Sequence, residues 1–150
     1  MTAFMAFLHH AGFVGLTAAL AAELVLLGGD LTARTVRRLR FADIAVGLSA
    51  MTVLAAGLLR VFYFEKGAAY YFKTWPFHAK LTLFIVLALL SIYPTVVYAR
   101  WGKAIRRGEM PAFEAGTVRK VRMIVHAELA GIVLILLFAA MMARGIGFSG

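Results

Sequence analysis

Four apolar stretches, each long enough to cross a bilayer, alternate with short connections in this sequence, and that pattern leaves few folds open. They run from about Ala3 to Leu27, Ala42 to Tyr63, Pro76 to Ala99 and Met123 to Met142. About 20 mainly apolar residues carry an α-helix through hydrocarbon. Lipid offers no hydrogen bonds, so such a segment satisfies its backbone by coiling into a helix. Pro76 suits a first helical turn, while Gly28-Gly29-Asp30 and Arg144-Gly145 stop the first and fourth runs. With 63% hydrophobic and 15% charged residues, the 150-residue chain carries more apolar surface than a soluble core of this size hides. The expectation is all-α: one domain over residues 1–150, a four-transmembrane-helix bundle without linker or low-complexity segment. No signal-peptide start or cleavage site precedes the first run, so it is expected to remain a helix.

Charge sets the orientation. Arg34, Arg37, Arg38 and Arg40 fall between the first two spans. Arg100, Lys103, Arg106, Arg107, Arg119, Lys120 and Arg122 fall between the last two. The other side has Arg60, Lys66, Lys73, Lys80 and Arg144. The positive-inside rule places the larger group in the cytoplasm, so both termini and the loop from Phe64 to Trp75 are expected outside. Tyr63, Tyr70, Tyr71 and Trp75 would form the outer aromatic belt, with Tyr98 and Trp101 the inner one. The net charge of +9 is thereby membrane topology and not a nucleic-acid footprint. Without cysteine there are no disulfides, thiolate sites or Cys nucleophiles.

Ionisable groups inside spans are costly and mark candidate sites. An outer layer holds His9, His10, Arg60, His78 and Lys80, and an inner layer holds Glu23, Asp43, His126 and Glu128. At about 100° per residue, His9 lies roughly 40° from Glu23 around the first helix, and His10 roughly 140°. If Glu23 faces the interior, His9 therefore does too, and His10 faces a groove or the headgroups. His78 shares a depth with His9, and two such histidines are an arrangement that ligates haem iron in a bundle. Lys80 lies about 160° from His78, on the other side of its helix, where snorkelling to the headgroups is its plainer role. Arg60, backed by Ala56 and Ser49, offers a guanidinium to an anionic group such as a propionate, or simply anchors the interface. His126 and Glu128 also diverge by about 160°, so one of them is expected at a subunit contact of a homo-oligomer. Asp43 is expected to open the second helix, where a carboxylate suits the dipole. Ala11, Gly15 and Ala19 form a small-residue row for close helix approach. No HxH, HExxH, P-loop or dinucleotide motif occurs.

Two resemblances add to this reading. Strings along the whole chain, among them Phe7-Leu8-His9, Ala21-Ala22-Glu23-Leu24, Ala55-Ala56-Gly57-Leu58-Leu59-Arg60, Ser91-Ile92-Tyr93-Pro94-Thr95, His126-Ala127-Glu128-Leu129 and Met142-Ala143-Arg144-Gly145-Ile146-Gly147, resemble a bacterial family of predicted four-helix membrane proteins. That resemblance gives an inner-membrane setting and no activity. More distantly, Leu8-His9 with Gly12, and Phe77-His78-Ala79-Lys80-Leu81, are similar to motifs of the HemJ-type membrane protoporphyrinogen oxidases. By that resemblance His9 matches the haem-associated histidine, and His78 and Lys80 the motif's polar pair. Joined to the two layers read from the residues, it gives the leading expectation of one haem b in the outer half, with His9 and His78 as iron ligands, Arg60 and Lys80 holding propionates and Glu23 with the inner layer relaying protons. Tyr93-Pro94 stands where that family often has a second histidine on its third helix. The expectation is then a haem-dependent oxidoreductase in which Glu23 and Lys80 are catalytic, with a porphyrin or quinone-type partner. Its rival is a non-enzymatic protein, either a small transporter or an assembly subunit, whose buried charges pair between helices.

Overall fold

The computed structural model describes residues 2–64 and 72–146, without the side chains of Thr2 and Phe64. Helix α1 spans Thr2–Gly28, α2 Ala33–Leu59, α3 Trp75–Arg106 and α4 Ala115–Ala143. A π-helical turn, Arg60–Phe64, carries α2 onward. All four helices are long and apolar enough to cross a membrane. α1 packs on α2, α2 on α3 and α3 on α4, and α4 closes the ring onto α1. The four-helix bundle expected from the apolar runs is the fold.

The helices outrun the apolar stretches. Arg34, Arg37, Arg38 and Arg40, expected in a loop, lie in the first turns of α2. Thr32 caps that helix by accepting the Thr35 amide at 3.2 Å, and a cap here ends the connection early. Arg100, Lys103 and Arg106 belong to α3, and Arg119, Lys120 and Arg122 to α4. Charged residues with straight side chains hold a helix well outside lipid, so hydropathy marks the crossing and not the helix. Gly108 and Gly145 end α3 and α4 at φ 78° and 70°. In each, the glycine and its successor bond back to the last carbonyls, as Gly108 N to Ile105 O at 3.0 Å and Glu109 N to Ala104 O at 3.1 Å. Only glycine takes that left-handed turn without strain.

The same extension revises Asp43. It lies ten residues inside α2, whose first residue is Ala33, so the helix dipole does not account for it. The inner aromatic belt is also revised. Tyr98 is fully buried and Trp101 nearly so, edge-on to Phe113 at 5.1 Å. Tyr63 and Trp75 are exposed, as a belt requires, while Tyr70 and Tyr71 lie outside the described residues. Lys66 and Gly147 lie outside them too.

Small residues set the approach of α1 to α2, and two of the expected row take part: a Cβ at Gly15 would sit 2.8 Å from Ser49 Oγ, and Ala19 is buried. Ala11 is exposed, and Gly12 takes its place. A Cβ at Gly12 would sit 2.8 Å from Val53 Cγ2 and 3.3 Å from Val53 N. The second contact is backbone, so it yields only if the helices part. Gly12→Ala is therefore expected to lower stability by about 1–3 kcal/mol. Gly116→Ala, with nothing near its Cβ, should match the parent or exceed it slightly. Thermal unfolding in one detergent compares the two. Equal melting of Gly12→Ala and the parent would contradict close packing here.

Candidate functional site

Three carboxyl groups from three helices meet one row of hydroxyls on α3. Ser91, Thr95 and Tyr98 stand at i, i+4 and i+7, a spacing that puts them on one face. Tyr98 donates to Glu23 Oε2 of α1 at 3.0 Å. The Thr95 hydroxyl lies 2.7 Å from Asp43 Oδ1 of α2 and 3.1 Å from the Ser91 carbonyl. Ser91 bonds Glu128 of α4 through its side chain. Pro94, buried among these residues, is the proline inside α3, and proline removes a backbone donor from the helix.

Glu23 is 2% exposed and Glu128 4%. Glu23 Oε1 is buried without a hydrogen-bond partner among the described residues. Glu23 lies within electrostatic reach of both Asp43 and Glu128. Arg40 acts on Asp43 from the basic end of the bundle, its side chain lying against Gly102 of α3. The inner layer is thus a built cluster. The α3 hydroxyls, and Tyr98 most of all, were not singled out as site residues; their i, i+4, i+7 spacing was the available signal.

Asp43 and Glu128, with Ser91 and Thr95, form the polar end of a central cavity of about 350 Å³. Its other walls are apolar, with Leu16 and Leu20 from α1, Met51 and Leu54 from α2, Phe84 and Leu87 from α3, and Ile132 and Ile135 from α4. Among the described residues, no Lys, Arg or His lines it. A smaller outer cavity of about 70 Å³ lies beyond, lined by His9, Lys80 and Gly57. The two share Phe13, Leu54, Phe84 and Ile135.

The outer residues divide. His9 is half-buried, and its Nδ1 donates to the Val53 carbonyl of α2 at 3.0 Å. A Cβ at Gly57 would come within 3.0 Å of its ring, so the glycine makes room for the imidazole. His10 is exposed and bonds back to Ala6 O at 2.6 Å, in keeping with the angular argument that sends it away from Glu23. His78 is exposed, with Nε2 donating to Phe72 O at 2.9 Å; it does not line the cavity that His9 lines. Lys80 does line it, with its ammonium 5.9 Å from the Phe77 ring centre. Arg60 opens the π-turn, half-buried and within electrostatic reach of His9. His126 is exposed on α4 and bonds Arg122 O at 2.7 Å, while Glu128 points inward. The structure brings His9 and Lys80 together, and Asp43 and Glu128 together; it leaves His78 and His126 on the outside. Among the described residues, no three His, Asp or Glu side chains are placed to hold a metal ion.

Comparison with known proteins bears on nearly the whole chain. A family model described as a predicted membrane protein (DUF2214) matches residues 1–147. No curated protein and no solved structure matches.

Proposed function

The chain belongs to this DUF2214 family of predicted membrane proteins, and from that premise we propose that it binds lipophilic cations, taking an amine with an apolar body into the central cavity as a small transporter would. The observation that carries the reading is the cavity's polarity: apolar walls from all four helices and one end made of Asp43, Thr95, Ser91 and Glu128. Its volume of about 350 Å³ falls within the range of small-molecule sites, roughly 300–1,000 Å³.

The occupant's chemistry follows from what the polar end lacks. The Thr95 and Ser91 hydroxyls already face the two carboxyl groups, so in the ionised form that end has capacity left only for accepting hydrogen bonds. An ammonium donates them and brings the positive charge that no described lining residue supplies. Arg40 acts on Asp43, whereas no cation among the described lining residues meets Glu128; holding such a carboxylate away from water without a counter-charge is expensive, and a bound cation offsets that cost. A quinone, whose oxygens only accept, suits this end poorly. The redox reading needs His9 and His78 at one iron, and the exposed side chain of His78 lends it less support.

A matched pair of probes tests the reading. A fluorescent tertiary amine and its carbon isostere, equally apolar, are titrated onto the protein in nanodiscs. The amine should bind at least tenfold more tightly, the low end of what a charge-assisted hydrogen bond contributes. Equal affinity of the two would overturn cation recognition.

A further inference from the structure

A second groove lies on the outer surface of the bundle, between α1 and the basic start of α2. Its floor is made of Gly15, Ala18 and Ala22 of α1 with Ala45 of α2, and three guanidinium groups, Arg34, Arg37 and Arg38, stand at one end. The arginines are spaced i, i+3 and i+4, which sets them on one face of α2, and all three are exposed. Among the described residues, no carboxylate lines the groove. From Gly15 to Leu26 the trough measures about 16 Å along α1 at the helical rise. That is close to half the ~30 Å hydrocarbon thickness, the depth of one leaflet. Phe41, 76% exposed, forms a side wall.

We propose that this groove is a binding site for an anionic phospholipid, with the phosphate held by Arg34, Arg37 and Arg38 and one acyl chain lying along the small-residue floor. Guanidinium forks match phosphate oxygens geometrically as well as in charge. The small side chains of Ala18, Ala22 and Ala45 leave room where a chain descending from that phosphate would run. A second copy of the protein fits worse. A two-fold axis along the membrane normal places the same patch on both subunits, so the three arginines would face three arginines. Free phosphate would answer to the charges and leave the trough empty.

The test measures melting of the full-length protein in a neutral detergent with phosphatidylglycerol, phosphatidylcholine or inorganic phosphate added. Phosphatidylglycerol should raise the melting temperature by several degrees, and the other two by little or nothing. Replacing the arginines with glutamine one at a time should weaken the phosphatidylglycerol effect roughly fivefold in half-saturating concentration for each charge lost. Ala18→Leu/Ala22→Leu keeps every charge and fills the trough; it should lose the same lipid advantage. These two substitutions sit on exposed positions, so the variant should fold. Equal stabilisation by both lipids would overturn the proposal, as would a phosphate effect matching that of phosphatidylglycerol. So would a dimer that forms without lipid and is lost in the trough-filling variant, since a second copy would then be the occupant.

Discussion

Tyr98→Phe is expected to destabilise the bundle by about 1–3 kcal/mol, the usual cost of stranding a buried polar partner. The substitution removes one oxygen and leaves the ring, so packing against Trp101, 6.0 Å away between ring centres, is kept. What changes is Glu23. Its Oε2 loses the hydroxyl at 3.0 Å, and its Oε1 has no partner among the described residues to begin with. Glu23→Leu should also destabilise, by stranding the Tyr98 hydroxyl instead. The double variant, Glu23→Leu/Tyr98→Phe, removes both and should recover most of the loss, because replacing both partners by apolar groups of similar shape is close to neutral. Thermal unfolding of the three variants and the parent in one detergent reads the cycle. Additive losses in the double variant would show that the pair does not act as a unit. Recovery would carry a further meaning. A buried polar pair that stability does not need is kept for another reason, and its neighbours Asp43 and Glu128 supply one.

How much of this was legible in the sequence depends on which physical signal each residue carries. The four crossings were plain, since apolar length alone decides whether a segment can sit in lipid. Helical angle also read well: Glu23 lies inward, His9 lies toward α2 while His10 does not, and Glu128 turns in while His126 turns out. Those comparisons use a fixed rotation per residue and need no partner. Depth without a partner was less informative. His9 and His78 were expected at one level, but His78 sits in the first turn of α3, where its ring reaches the Phe72 carbonyl and stays on the surface. Asp43 was misread because the apolar run starts nine residues after the helix does. Tyr98 and Trp101 were assigned to a belt by residue type, and a tyrosine near an interface carries the same sequence signal whether its hydroxyl meets water or a buried glutamate. The hydroxyl row on α3 was the cue left unused. Ser91, Thr95 and Tyr98 on one face of an apolar helix are polar groups that must find acceptors across the bundle.

The carboxyl pair at the end of the central cavity is where the functional account stands or falls. Asp43→Asn and Glu128→Gln each keep the size of the side chain and its capacity to accept a hydrogen bond from Thr95 or Ser91. Each removes the charge that an ammonium would meet. A charge-assisted hydrogen bond contributes about 1.5–3 kcal/mol, so either variant should bind a lipophilic amine roughly 10- to 150-fold more weakly than the parent. The neutral isostere should bind all three proteins alike. Lys80→Met is the control, because Lys80 lines the outer cavity and not the central one, and it should leave amine affinity within about twofold of the parent. The decisive measurement is the equilibrium affinity of the amine for Glu128→Gln in nanodiscs, against the parent under the same conditions. A loss of tenfold or more, with the isostere unaffected, is the predicted result; an unchanged affinity would contradict cation binding at this site.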